Sequence, residues 1–221
     1  MKIAINGANR GIGLALVKAY LEDQNNRVYA LCREPSKELE KLDNVSIVEG
    51  VDVKSDQLSK ALEGKLEKNS IDLFINNAGI LRSDDWKSLN LKEVQEQFLV
   101  NTLGPLNMLK AMEPYLNQGA KIGVLTSRMG SIEDNTSGGM YGYRISKAAA
   151  NAAFKSVAID FNSKSHPVAI LHPGYVKTDM TSGNGNIEPK EAAAGLKKVM
   201  AQLSLENTGQ FWHSDGNRLP W

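Results

Sequence analysis

The chain has 221 residues, of which 42% are hydrophobic and 23% charged, and its formal net charge is +1. These values are ordinary for a globular protein of one domain, and they give no electrostatic reason to expect nucleic acid or a membrane surface as a partner. The apolar run at the amino terminus is shorter than a signal peptide's apolar region, and no later stretch has the length of a membrane span. The only cysteine, Cys32, excludes an intramolecular disulfide, so we expect the cytoplasm.

Short apolar runs alternate with helical patterns along the chain. In the first part, strands are predicted over residues 2–6, 27–32, 45–48 and 71–75, and helices over residues 11–22 and 55–68, the second capped by Ser55. A long helical stretch over residues 91–116, irregular at Gly104 and Pro105, is followed by a strand at 121–126, a helix at 141–161, a strand at 168–172, a helix at 191–203 and a last edge strand at 210–213. This alternation predicts a single α/β domain over residues 1–221, with a doubly wound, mostly parallel sheet of about seven strands and helices on both faces.

A glycine-rich turn, with Gly7, Gly11 and Gly13, lies between the first predicted strand and the first predicted helix. In a parallel sheet, a dinucleotide is held at this place by a helix amino terminus, as in the Rossmann fold. Gly7 would permit the tight turn, Gly11 the close approach of the pyrophosphate, and Gly13 tight packing of helix on strand. The spacing has one residue more between the first two glycines than the common pattern, and a turn with purely structural duties is the alternative.

The end of the second strand indicates which nicotinamide cofactor would bind. An acidic residue usually bonds the ribose hydroxyls of NAD(H) there, whereas this strand is followed by Arg33 and then Glu34. Arg33 and Arg10 could together hold a 2′-phosphate, so NADP(H) is favoured over NAD(H). The alternative is that both arginines are solvated loop residues.

Tyr143 and Lys147 are four residues apart in a predicted helix, so their side chains share a face. At roughly 5 Å and an effective dielectric near 20, the ammonium would stabilise a phenolate by about 3 kcal/mol, or about two pKa units. Tyr143 would then be a usable general acid or base near neutral pH. The spacing alone should occur by chance in about half of such chains, so its weight comes from the rest of the sequence.

The glycine turn, Asn76-Asn77-Ala78-Gly79, Asn101, Ser127, Tyr143 and Lys147, in this order, resemble the short-chain dehydrogenase/reductase family nearly end to end. Segments 130–132, 138–141, 143–147 and 219–221 look most like its C-factor and carbonyl-reductase-like branch. The resemblance implies an oxidoreductase that moves a hydride between NADP(H) and a small carbonyl or alcohol substrate, and a dimer or tetramer paired through its long helices. A nucleotide-binding signalling or regulatory protein, in which catalysis is secondary, is the alternative.

The resemblance also implies roles for individual residues. Tyr143 would be the catalytic acid or base, and Lys147 would lower its pKa and bond the nicotinamide ribose. Ser127 would polarise the substrate carbonyl, and Asn101 would hold a water in a proton relay through Lys147. The residues expected at the cofactor are Gly7, Asn9, Arg10, Gly11, Ile12, Gly13, Arg33, Asp52, Val53, Asn77, Ala78, Gly79, Tyr143, Lys147, Pro173, Gly174, Val176 and Thr178.

Several assignments near these motifs keep an alternative. Ser131 competes with Ser127, because the distance from Ser127 to Tyr143 is a little longer than is common in the family. Arg128 could face an acidic substrate, although a solvated loop arginine is favoured. Residues that follow functional motifs are expected either in the cavity wall or in ordinary packing: Ile80, Leu81, Met129 and Tyr175. No metal site is expected, since the three histidines are far apart in the sequence.

Overall fold

Seven apolar strands pair side by side in the computed structural model, which describes residues 1–221. They are β1 (Lys2–Asn6), β2 (Arg27–Leu31), β3 (Val45–Val48), β4 (Ile71–Asn76), β5 (Leu116–Leu125), β6 (Val168–His172) and β7 (Gln210–His213). Their order across the sheet is β3-β2-β1-β4-β5-β6-β7, and every pairing between them is parallel. The predicted doubly wound α/β Rossmann fold is therefore confirmed.

Seven α-helices cover the two faces of this sheet. They are α1 (Gly11–Leu21), α2 (Lys37–Glu40), α3 (Leu58–Leu62), α4 (Leu91–Phe98), α5 (Gly104–Met112), α6 (Tyr141–Asn162) and α7 (Pro189–Gln202). One face packs on α3, α5 and α6 in a cluster of 26 buried residues, and the other packs on α1, α2 and α7 in a cluster of 22. No helix is both long enough and apolar enough to cross a membrane.

Three predicted boundaries were wrong. The helix predicted over residues 55–68 is only the short α3, because the chain leaves the helical conformation at Glu63, with a ψ of 131°, and turns at Gly64, with a φ of +70°. Ser55 does not cap this helix, since its Oγ accepts from the Gln57 amide in the turn before α3. β5 begins at Leu116 instead of residue 121, and its pairing with β4 shifts register between Ile71 and Leu73.

The irregularity predicted near Gly104 and Pro105 is a π-helical segment, Leu99–Leu103, which joins α4 to α5. Pro105 has no N–H to donate to the Asn101 carbonyl four residues earlier, so a continuous α-helix would lack that bond. The segment closes with the wider spacing, in which the Gly104 amide donates to the Leu99 carbonyl. The long helix predicted over residues 91–116 is thus two helices with Asn101 at their junction.

The end of the chain folds back over β7, the edge strand next to β6. Trp212 and Arg218 form an antiparallel bridge, and the Leu219 amide donates to the Phe211 carbonyl at 2.8 Å. Trp221 then stacks on Phe211, with the ring centroids 5.5 Å apart. This edge of the sheet is therefore covered by the chain's own backbone.

Candidate active site

The glycine turn lies at the carboxyl end of β1, against the segment that follows β4. Gly7 has a φ of +71°, and a Cβ on it would lie 2.8 Å from the Ala78 nitrogen. A Cβ on Gly13 would lie 2.0 Å from the Gly7 carbonyl oxygen, so only glycine lets α1 start this close to β1. These contacts fit the duties expected of Gly7 and Gly13.

Two side chains hold the turn in place and leave one polar atom without a protein partner. The Asn77 amide donates to the Gly7 carbonyl at 2.9 Å, and the Ser36 hydroxyl donates to the Asn9 carbonyl at 2.8 Å. Asn9 Oδ1 is buried and has no hydrogen-bond partner. A glycine cradle at a helix amino terminus with one free buried acceptor fits a dinucleotide, whose ribose hydroxyls can donate to that acceptor.

Four of the residues expected at the cofactor, Arg10, Arg33, Asp52 and Val53, are in different surroundings. Arg10 is exposed and forms an ion pair with Asp179 at 3.1 Å, whereas Arg33 is exposed and has no ion pair. Asp52 is half-buried and caps its own loop by accepting from the Lys54 amide. Val53 is buried against Gly104, where a Cβ would lie 2.8 Å from Val53 Cγ2, so it has a clear packing role.

Seven of the expected residues line one cavity of about 480 Å³ at the carboxyl ends of β5 and β6, whereas Asn77, Ala78, Gly79, Asn101 and Lys147 do not line it. Ile12 approaches it from the glycine turn, and Ser127 and Tyr143 from the segment after β5 and from α6. The segment after β6 contributes Pro173, Gly174, Val176 and Thr178. Thr178 also reaches the glycine turn, since a Cβ on Gly11 would lie 3.3 Å from its Cγ2.

Tyr143 lies in the first turn of α6, and a residue far away in the sequence fixes where this helix begins. Asp84, in the loop after β4, accepts from the Tyr141 amide and, at 3.0 Å, from the Gly142 amide. Its carbonyl also accepts from the Met140 amide at 2.8 Å, where Met140 takes a left-handed φ of 54°. A carboxylate on the first amides of a helix is a strong cap, so Asp84 sets where α6 begins.

Burial controls the charge of both residues of the expected catalytic pair. Tyr143 is buried, which raises its pKa to about 12, while the neighbouring Ser127 hydroxyl works against that rise. Burial also lowers the pKa of Lys147 to about 8. Lys147 Nζ lies 5.7 Å from the centre of the Tyr143 ring and donates to the Leu125 carbonyl at 3.1 Å. Burial and the Ser127 hydroxyl are the two causes of the Tyr143 shift, so the lowering of the Tyr143 pKa by Lys147 stays a prediction.

The two candidate serines are clearly separated by position. Ser127 lines the cavity beside Tyr143, and its Oγ accepts from the Met129 amide at 3.1 Å. Ser131 is buried away from the cavity, where its Oγ accepts from the Asp134 amide. The geometry favours Ser127 as the hydroxyl that meets a substrate.

Asn101 is buried in the π segment and holds the loop after β4. Its Oδ1 accepts from the Ile80 amide and its Nδ2 donates to the Ile80 carbonyl, both at 2.8 Å. Nδ2 also lies 3.0 Å from the Ser146 hydroxyl. A Cβ on Gly79 would lie 3.2 Å from Asn101 Oδ1 and 3.5 Å from Lys147 Nζ, so the loop, the π segment and α6 meet here.

Of the four expected wall residues, Leu81, Met129 and Tyr175 line the cavity, whereas Ile80 packs against the core. The wall also contains Asp134, Thr136, Arg144 and His172, which were not predicted from the sequence. For two of these residues, the position in the sequence next to a predicted site residue could have indicated a place in the cavity wall. Arg144 directly follows Tyr143, and His172 ends β6 just before Pro173.

His172 and His213 are neighbours, although they are far apart in the sequence. Their rings meet edge to face with centroids 5.1 Å apart, and His213 Nδ1 lies 3.1 Å from Asp215 Oδ1. Burial is the largest of the effects that lower the pKa of His172 to about 3, and nearby His213 adds to it. His172 is thus a neutral side chain of the cavity wall at physiological pH.

A family model described as short chain dehydrogenase matches residues 1–188. The chain belongs to the short-chain dehydrogenase family. This explains why the glycine turn, Ser127, Tyr143 and Lys147 occur in one order on one fold, and it makes the protein an oxidoreductase. The family resemblance read from the sequence is confirmed.

Two curated members of this family are similar over most of the chain. The 1-hydroxy-2-glutathionyl-2-methyl-3-butene dehydrogenase of Rhodococcus sp. (strain AD45) is 40% identical over 99% of both chains. The C-signal protein of Myxococcus xanthus is 38% identical over 68% of this chain and 93% of its own.

Among solved structures, the NADPH-bound carbonyl reductase from chicken fatty liver superposes with a TM-score of 0.89 at 31% identity, covering 100% of this chain and 98% of that one. With the two curated relatives, it places the protein in the C-factor and carbonyl-reductase-like branch of the short-chain dehydrogenases.

Proposed function

We propose that the domain over residues 1–221 is an NADPH-dependent reductase of small carbonyl compounds. The observation that carries the proposal is that the Ser127 and Tyr143 side chains line one cavity with Ile12 of the glycine turn and with the segment that follows β6. A bound nicotinamide ring would supply or accept the hydride. The protein's own residues would bind the carbonyl, stabilise charge on its oxygen and deliver a proton.

Tyr143 is protonated at neutral pH, which is the state that reduction of a carbonyl requires. With a pKa of about 12, the hydroxyl keeps its proton at neutral pH and is ready to act as an acid. The alkoxide that forms when a carbonyl gains a hydride is a stronger base than a phenolate, so transfer of the Tyr143 proton to it is downhill. Oxidation of an alcohol would first require removal of the Tyr143 proton.

Lys147 and Asn101 are proposed to return a proton to Tyr143 through a water. Both N–H donors of the Asn101 side chain are used by Ile80 and Ser146, and its Oδ1 accepts from the Ile80 amide, so we assign the water to the Asn101 backbone carbonyl. That carbonyl lacks an α-helical donor because residue 105 is proline. Lys147 Nζ lies close to this junction, since a Cβ on Gly79 would approach both it and the Asn101 side chain. The Lys147 ammonium has N–H donors left after it donates to the Leu125 carbonyl.

NADP(H) is proposed as the cofactor in preference to NAD(H). Arg33 is exposed after β2 without an ion pair, and Arg10 is held only by the exposed pair with Asp179, which is easily exchanged. The similar chicken reductase is NADPH-bound by its description. We expect NADPH to be oxidised with a clearly higher kcat/KM than NADH, and the reverse preference would contradict the assignment.

The name of the Rhodococcus relative gives a first substrate class to screen, alcohols that carry a glutathionyl group. We therefore include S-substituted glutathiones with a hydroxyl or carbonyl group beside simple aldehydes and ketones. Turnover of the glutathionyl compounds alone would narrow the proposed function to that class.

The decisive test is Tyr143→Phe, assayed with NADPH and a panel of carbonyl compounds. We expect the variant to bind NADPH, measured by fluorescence titration, and to lose turnover by about 10²–10⁴-fold, the contribution typical of general acid catalysis. Ser131→Ala is the matched control, because Ser131 is a buried hydroxyl outside the cavity. Full turnover by Tyr143→Phe would refute the mechanism. Failure of the wild type to oxidise NADPH with any carbonyl would favour the signalling alternative to which the C-signal relative points.

A further inference from the structure

The cavity has a charged outer end, formed by the loop after β5 and the start of α6. Its wall contains three charged side chains, Arg128, Asp134 and Arg144. Arg128 Nε and Nη2 both donate to the Asp134 carboxylate, and the bond from Nη2 is 3.0 Å long. Hydrogen bonding to Arg128 holds the pKa of Asp134 below its usual range, so this carboxylate stays charged. The pair is electrically neutral, which leaves Arg144 as the charge in excess.

Arg144 is half-buried and has no carboxylate within ion-pair distance. It donates to the Met129 carbonyl at 3.3 Å and to the Ser137 hydroxyl at 2.9 Å. A guanidinium has five N–H donors, so these two bonds leave most of its capacity unused. Its Nε is buried and has no hydrogen-bond partner at all. A half-desolvated cation with unused donors on a cavity wall is poised for an anion.

We propose that Arg144 is a substrate-recognition residue, and that the preferred substrates are carbonyl compounds with a carboxylate that binds at this outer end of the cavity. This rests on the proposed reductase function. Ser127 and Tyr143 would take the reacting carbonyl, and the guanidinium of the next residue along α6 would take the carboxylate. The planar fork of arginine matches the two oxygens of that group. Asp134 opposes an incoming anion, and its pairing with Arg128 limits that opposition.

The test compares two substrates that differ only in charge, para-carboxybenzaldehyde and its neutral methyl ester. For the wild type we expect kcat/KM to favour the carboxylate by about tenfold, with the preference falling as salt is added. Arg144→Gln should bring the ratio of the two kcat/KM values close to one. Arg144→Lys, which keeps the charge and loses the fork, should give an intermediate ratio. The ratio is the readout because a general disturbance of the loop would affect both substrates.

Asp134→Asn separates recognition from a merely structural role of Arg144. This variant removes the opposing charge and frees Arg128, so the carboxylate preference should rise above that of the wild type. Arg27→Gln is the control, since Arg27 is exposed at the amino end of β2, away from the cavity. An unchanged ratio in Arg144→Gln would overturn the proposal, whatever the result for Asp134→Asn.

A binding measurement keeps this proposal distinct from the proposed function. Calorimetry with terephthalate needs no turnover, and we expect binding to weaken at least severalfold in Arg144→Gln and to persist in Arg27→Gln. If the wild type reduces neither aldehyde, the reductase assignment fails, and the terephthalate titration still decides whether Arg144 binds carboxylates. Equal terephthalate affinity in the wild type and Arg144→Gln would overturn the proposal.

Discussion

Tyr143, Lys147 and His172 are three titratable side chains in and around one cavity. Burial shifts the pKa of each in the direction that favours the neutral form of the side chain. Their shifts have opposite signs because tyrosine is neutral when protonated and the other two are neutral when deprotonated. At neutral pH Tyr143 and His172 are therefore uncharged, whereas Lys147, with a pKa of about 8, still carries most of its charge. This suits a proton donor that must stay protonated until alkoxide forms.

His172 should make the stability of the protein depend on pH on the acid side. Its pKa is about 3 in the folded state and about 6.5 in an unfolded chain, so the unfolded state binds the extra proton between these values. The stability contribution is complete above about pH 6.5 and is lost as the pH falls toward 3, by at most a few kcal/mol. Urea unfolding of the wild type and His172→Gln at pH 7 and pH 4.5 should show a smaller loss in the variant. Equal losses would contradict this role of His172.

Individual residues could be predicted from the sequence where spacing or chain order carries the information. The Tyr143–Lys147 spacing identified a pair that the structure brings together, and the glycine turn identified the cradle at Gly7 and Gly13. The direction of the Tyr143 pKa could not be predicted, because spacing gives the distance between charges and says nothing of the solvent they lose. Arg144 was missed because its unused donors become visible only when its neighbours are known.

The π segment between α4 and α5 gives a test at the scale of one element. Pro105→Ala would restore an N–H four residues after Asn101, and that N–H would compete for the carbonyl proposed to hold the relay water. We expect turnover with NADPH to fall by roughly tenfold or more while the thermal midpoint stays the same or rises, because alanine favours helix over proline.

Pro114→Ala is the matched control for this variant. Pro114 lies in the exposed turn after α5, and its carbonyl accepts from the Asn69 amide, away from the cavity. Its substitution should leave turnover unchanged. Full turnover by Pro105→Ala would contradict a relay through the Asn101 carbonyl.

Elements were predictable where the local pattern was strong. All seven strands were found, since five of them contain buried apolar runs and the half-buried β3 and β7 are still rich in strand-forming residues, and Gly104 with Pro105 marked the break in the long helix. The capping of α6 by Asp84 could not be predicted, because this residue precedes the helix by more than fifty positions and acts through the fold. The predicted length of α3 was too great, because the polar residues after Leu62 continue the pattern of a helix although the chain turns at Gly64.

At the scale of the whole molecule, an exposed apolar stripe supports the predicted dimer or tetramer. Ile145, Ala152 and Ile159 are exposed at intervals of two helical turns on α6, and Leu99 and Leu103 are exposed on the adjoining π segment. Burial of these side chains against a second copy of the same surface would stabilise an oligomer, because the side chains of paired helices can interdigitate along such a stripe.

We expect light scattering to give the mass of a dimer or tetramer for the wild type. The double variant Ile145→Asp with Ile159→Asp should shift the mass to that of a monomer, because it places charge in the centre of the contact. The exposed Ile132, 82% accessible on the loop after β5, offers a control in Ile132→Asp that should keep the wild-type mass. A stable wild-type monomer would contradict the prediction.

The type of sheet, parallel and doubly wound, could be predicted, because alternating strands and helices with right-handed connections allow few strand orders. The cavity's outer end was not, since the loop after β5, the start of α6 and the end of β6 meet only in three dimensions. Whole-molecule features that depend on several loops at once are therefore the least accessible from sequence.

The return of the chain over β7 has a consequence for solubility. An open edge strand can template the addition of strands from other molecules, which is a common route to aggregation. Here the bridge between Trp212 and Arg218 occupies that edge, and the opposite edge is the four-residue β3. Loss of residues 217–221 would uncover the β7 edge, and the shortened protein should form thioflavin-binding aggregates on mild heating while the full chain stays clear.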